Sequence, residues 1–182
     1  MNEILTPQQI AKEGKSAYTK GDYAQAAQAF EAARQGYISA GDDLLAAEMA
    51  NNGSVALLQA GDAQAALQAV DGTAATFSTA GDQKRQAMAL GNQAAALEAL
   101  KQTEEAEKLY WQAAEILGTL GEDELRLSVM QSISALQLRT GRQLQAVATM
   151  QSGVENLGKP TLKQRLLKRL LNIPIKMMGD KS

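Results

Sequence analysis

The chain contains no histidine and no cysteine. The first absence excludes Ser-His-Asp and Cys-His catalysis and any histidine-held metal. The second excludes disulfides, thiol nucleophiles and zinc–cysteine sites. Aromatic residues make up only 4% of the 182 residues, which leaves little from which to build a base-stacking platform. No uninterrupted apolar stretch approaches the ~20 residues that span a bilayer. The formal net charge is only -2, so nothing in the overall balance favours nucleic acid. The first residues, MNEILTPQQIAKEGK, lack a basic start followed by a long apolar run, and the expected location is cytoplasmic.

Charge is distributed unevenly. Residues 1–158 carry 11 Lys+Arg and 19 Asp+Glu, a net of -8. Residues 159–182 carry 7 Lys+Arg and one Asp, a net of +6. An acidic body and a basic tail are therefore read separately.

What the sequence does have is a repeat. Glycine stands at 21, 41, 61, 81, 121 and 141, with Lys101 filling the one gap. Asp follows at 22, 42, 62 and 82. Glycine tolerates the left-handed conformation just past a helix end, and aspartate caps the helix that follows. The spacing predicts helices of ~17 residues joined by tight turns. The full period is 40: Ala26, Ala66, Ala106 and Ala146 recur, each followed four residues later by Phe30, Val70, Tyr110 or Met150. Gly14, Ser54, Ala94 and Ser134, in the preceding helices, are also in register. Small residues at fixed points let helices approach closely, and the larger residue fills the space between hairpins. Such hairpins bury their apolar faces by stacking on one another.

The run from Gly14 through Ala17, Gly21-Asp22-Tyr23 and Ala26 to Phe30 and Ala33 resembles the tetratricopeptide repeat (TPR). Residues 90–94 and 105–110, followed by Ala113, match nearly as well. The 40-residue unit is similar to the longer-helix variant of kinesin light chain. The resemblance implies an all-α, right-handed α-solenoid of four TPR-like hairpins over 7–158, with units at 7–40, 43–80, 83–120 and 123–158. A basic C-terminal capping helix and tail follow, at 159–182. Ile38, Ser78, Gly118 and Gly158 stand where the family often has proline, and Ala17 and Gln137 where it has a large apolar residue.

The resemblance also implies a function: a non-enzymatic protein–protein interaction scaffold that holds a peptide or helix in a concave groove. By register, the groove lining is Lys15, Tyr18, Asn51, Val55, Leu58, Asn92, Gln131 and Arg139. Asn51, Asn52 and Asn92 have two readings, hydrogen bonding to a peptide backbone or holding the repeats together. Lys12 and Lys15 lie near the helix that carries the lysine–asparagine clamp for C-terminal carboxylates in some relatives. Met88 and Asn92 replace the further basic residues of that clamp, so chaperone-tail binding is not expected. Trp111 lies one step off the core register; it either packs on the neighbouring hairpin or anchors a partner.

Two acidic clusters, 104–107 and 122–124, fall in first turns of predicted helices, where they complement the helix dipole. No catalytic residue, metal or cofactor is expected. In the tail, Thr161 opens a predicted ninth helix that ends near Asn172, before Pro174. Leu162, Leu166, Leu167, Leu170 and Leu171 fill half of its wheel. A cap on the last hairpin is the first reading. Contact with an anionic membrane or a partner through Lys163, Arg165, Lys168 and Arg169 is the second, which makes the chain a peripheral adaptor. Weak, non-specific nucleic-acid binding through the same charges is the third and is disfavoured; for the chain as a whole, a self-assembling structural module that pairs through its terminal faces is a further alternative.

Overall fold

A computed structural model of the chain describes residues 5–155, 157, 162 and 164–166. These residues are helical apart from turns and short connections, and no strand occurs among them. The elements are α1 (Pro7–Thr19), α2 (Tyr23–Ser39), α3 (Asp43–Gln59), α4 (Ala63–Val70), α5 (Thr73–Thr79), α6 (Gln83–Ala99), α7 (Thr103–Thr119), α8 (Asp123–Arg139) and α9 (Gln143–Glu155). Two compact units divide within α7, one Met1–Leu109 and the other Tyr110–Ser182.

One turn geometry recurs at every 20-residue step. Gly21, Gly41, Gly61, Gly81, Gly121 and Gly141 all have positive φ, from 68° to 90°. The N–H of each donates to the carbonyl three residues back, and the next N–H donates to the carbonyl five back, at 2.8–3.2 Å. This Schellman arrangement satisfies carbonyls that a helix end leaves orphaned. The residue after the glycine then starts the next helix. The Asp22, Asp42, Asp62 and Asp82 carboxylates accept from the backbone N–H of Gln25, Leu45, Ala65 and Arg85. At the start, Thr6 and Gln9 form a reciprocal capping box ahead of Pro7.

The gap in the glycine series does not change the turn. Lys101 takes φ 65° itself, the one non-glycine with positive φ among the described residues, and makes the same bonds to Glu98 and, through Gln102, to Leu97. A side chain there costs about 1–2 kcal/mol relative to the right-handed region.

The second hairpin departs from the expected uninterrupted helix. Its return helix is split into α4 and α5 by Asp71 (φ -58°, ψ 135°) and Gly72 (φ 75°). The Thr73 hydroxyl donates to the Val70 carbonyl at 2.7 Å, which occupies a carbonyl the broken ladder frees. An Asp-Gly pair off the 20-residue series is a turn signal in its own right.

In the first unit, α1, α2 and α3 pack around Ala11, Ala17, Ala26, Phe30, Ala33 and Met49. Gly14 sits against the Phe30 ring: a Cβ there would lie 3.0 Å from two ring carbons. Farther along, Phe77 of α5 fills the space between Ala47 of α3 and Ala89 of α6. In the second unit, a Cβ on Gly153 would lie 3.1 Å from Met130 and 3.2 Å from Leu127. The four repeated alanines, Ala26, Ala66, Ala106 and Ala146, are all buried.

The departure at Gln137 has a structural reason. Gln137 is buried in α8, and its Oε1 accepts from the Thr149 hydroxyl of α9 at 2.8 Å. Ser134 donates to the Ala146 carbonyl at 2.9 Å. Two buried polar bonds thus join α8 to α9, and a buried polar group is tolerated when it is so paired.

Two stability outcomes follow from this packing. Lys101→Gly relieves the left-handed strain and stabilises by about 1 kcal/mol, a rise of about 2–4 °C in thermal midpoint for a chain of this size. An unchanged or lowered midpoint contradicts it. Ala66→Leu overpacks the fully buried alanine site and destabilises by about 1–3 kcal/mol, measurable by urea unfolding.

Candidate functional site

The first helices of successive hairpins carry the residues that the repeat register assigns to the groove. In the first unit, α1 and α3 bring several of them together. Lys15, Tyr18 and Thr19 of α1 and Asn52 and Val55 of α3 line one cleft of about 270 Å³, with Phe30 of α2 in it. Phe30 is buried, and Tyr18 and Val55 are partly so. The Tyr18 ring meets Tyr23 edge-on, 5.3 Å between centroids, which fixes the phenol at the cleft edge. Thr19 turns its hydroxyl back to the Lys15 carbonyl at 2.9 Å. The side chains of Lys15 and Asn52 have no partner among the described residues. The cleft therefore combines an apolar floor with an ammonium and an amide free to bond.

Asn51 and Asn92 do something else. Asn92 Nδ2 donates to Asn51 Oδ1 at 2.9 Å, linking α6 to α3. Asn51 is only 7% exposed. The two amides are separated by 41 residues, one more than the repeat, so the side chain of one hairpin reaches its neighbour. Of the two readings open to them, the bond between repeats is the one formed here. Leu58 is partly buried on α3, while Gln131 and Arg139 are exposed on α8 in the second unit.

A second α3–α6 link stands beside α5. Arg85 Nη1 lies 3.3 Å from the Glu48 carboxylate and Arg85 Nε 2.6 Å from that of Asp82. The guanidinium also sits 5.1 Å from the centre of the Phe77 ring. The backbone N–H of Arg85 and then its guanidinium hold the Asp82 carboxyl below its ordinary range. Sequence reading missed this group because neither Glu48 nor Arg85 recurs at the repeat spacing.

The second unit carries a larger cleft, about 700 Å³, where Trp111, Glu115, Gly118 and Thr119 of α7 face Asp123 and Arg126 of α8. Trp111 is 41% exposed, so its indole opens to solvent on one side. The Arg126 side chain crosses Gly118, where a Cβ would come within 3.2 Å of it. Nearby, burial pushes the Tyr110 hydroxyl up, partly offset by its hydrogen bond with Ser132.

Among the described residues, no group of three Asp, Glu, His or Cys side chains is placed to hold a metal ion. No described helix is long and apolar enough to cross a membrane. Of the tail residues singled out in the sequence, Arg165 is exposed on a helical stretch. Lys163, Lys168 and Arg169 lie outside the described residues, as do Leu167, Leu170, Leu171 and most of the predicted tail helix. Of the leucines of that predicted helix, Leu162 and Leu166 are described, and both are exposed.

Comparison with solved structures places these hairpins. A putative kinesin light chain of Podosopora anserina, solved as a point variant and built of nearly identical TPR-like repeats, superposes with a TM-score of 0.71. The match covers 84% of this chain and 76% of that one at 15% identity. The fold is that of TPR-like repeats. A second structure of such repeats from the same organism covers 98% of this chain and all of that one, at 13% identity and a TM-score of 0.54. No family model matches the chain, and no curated protein matches it.

The Asp82 geometry gives a pH dependence. A carboxylate held low in the folded state stabilises fully above its unfolded value, about 3.9, and the contribution is lost as pH falls through the lower folded value. Asp82→Asn therefore flattens the loss of stability below about pH 4, read from urea unfolding at stepped pH. An unchanged acid slope contradicts the assignment.

Proposed function

We propose that the chain is a non-enzymatic interaction module that holds an extended peptide segment of a partner protein across α1 and α3. One observation carries this reading: Lys15, Tyr18 and Thr19 of one repeat meet Asn52 and Val55 of the next around Phe30. At about 270 Å³ the cleft falls just below the range of small-molecule sites, about 300–1,000 Å³. It suits one apolar side chain of a longer ligand. The Asn52 amide offers both a donor and an acceptor to the main chain of that segment. Lys15 adds a cation at the rim, which favours a carboxylate in the partner and quickens encounter more than it tightens binding.

Asn51 contributes at one remove. Its bond with Asn92 ties α3 to α6 and so holds the helix that presents Asn52 and Val55. With one apolar anchor and few charged contacts, affinity is modest and exchange is fast.

The test is selection of peptides from a random displayed library against the full chain, followed by titration against Asn52→Ala/Val55→Asp. Selected peptides lose affinity by at least about ten-fold, the loss of ~1.4 kcal/mol or more that follows from removing a hot spot, while Gln131→Ala leaves them nearly unchanged. Equal binding to both variants and the parent refutes the cleft as the site. A thermal scan of each variant separates lost binding from lost fold.

A further inference from the structure

The described part of the C-terminal segment is amphipathic with its sides reversed. Residues 162 and 164–166 are helical. Gln164 turns toward the body: its Nε2 donates to the Glu124 carboxylate of α8 at 3.4 and 3.5 Å. Leu162 and Leu166, one helical turn apart and on the opposite side from Gln164, are 84% and 59% exposed. A helix that caps a hairpin stack does the opposite, turning its leucines in and its amides out. Here the polar side chain meets the protein and the apolar pair meets water. Leu144 of α9, in the same unit, is also in solvent, at 79% exposure.

The charge of the sequence that carries these leucines says which surface suits them. Arg165 stands between Leu162 and Leu166, and the chain from 159 onward carries 7 Lys+Arg against one Asp. Apolar residues interleaved with cations match a surface that is apolar just beneath a layer of negative charge. Residues 1–158, at a net of -8, are repelled by such a surface, which confines contact to this segment.

We propose that the face bearing Leu162, Arg165 and Leu166 docks the protein on an anionic lipid bilayer. The leucines enter the boundary between headgroups and acyl chains, and Arg165 stays among the phosphates. This is a peripheral attachment, reversible and dependent on salt. It is independent of the peptide cleft, which lies in the other unit.

The experiment is co-sedimentation of the full chain with vesicles of phosphatidylcholine alone and of phosphatidylcholine with phosphatidylglycerol, at low and high salt. The chain binds the anionic vesicles at least about ten-fold more strongly than the neutral ones, and high salt releases it. Leu162→Ser/Leu166→Ser weakens that binding by about ten-fold or more, and Arg165→Gln weakens it by less. Both leucines are exposed, so the double variant keeps the parent's helical signal and thermal midpoint. Absence of binding to either vesicle, equal binding to both, or full binding by the double variant overturns the proposal. So does self-association that the double variant abolishes without any vesicle binding, since the face then belongs to a second copy of the chain.

Discussion

A single residue in the left-handed conformation, repeated every 20 positions, sets the geometry on which the rest of this protein depends. It lets two backbone N–H groups close the helix behind it, and it places the next residue where its carboxylate can open the helix ahead. Because one short turn does both tasks, helix length and reversal are fixed together. Reversals at equal intervals then put the same positions of each hairpin in register. That is why alanine recurs at 26, 66, 106 and 146 and is buried at all four. The cleft follows from the same regularity, since residues of α1 and α3 converge only if both helices start and stop in register.

The turns were legible because their chemistry is local. Gly-Asp encodes both the positive φ and the cap within two residues, and the Thr6–Gln9 capping box is equally self-contained. Two features were not legible for the same reason inverted. Lys101 adopts φ 65° because the closing bonds on both sides hold it there; nothing in lysine itself asks for it. The break at Asp71-Gly72 had a local signal, but the 40-residue pattern continued through it at Thr73 and concealed it. Val70 and Thr73 keep their buried places on either side of the break, so the register survives while the helix does not.

The candidate site was legible as a set of positions but not as a set of roles. Register placed Asn51, Val55 and Asn92 on first helices, as it placed Lys15 and Tyr18. It did not distinguish a side chain facing a ligand from one facing the next repeat, because that depends on an offset of one residue. Asn92 reaches Asn51 across 41 positions, and Arg85 reaches Glu48 across 37. Neither distance is the period, so neither pair stands out in an aligned repeat. Gln137 was visible as a polar residue in an apolar place, yet its partner Thr149 is apparent only once α9 folds back on α8.

These pairings sort the polar side chains by what remains to them. An amide that already bonds within the fold stiffens it and has less to offer a ligand; removing its partner leaves a buried group unsatisfied. Asn51 and Gln137 belong to that class. Lys15 and Asn52, beside the apolar Phe30 and Val55, have their bonding capacity still open toward the cleft. The same reasoning applies at the other end of the chain, where Gln164 bonds to the body and the leucines beside it do not. In a run of similar hairpins, a polar group left unpaired or an apolar one left uncovered is what still has bonding or burial to offer a partner.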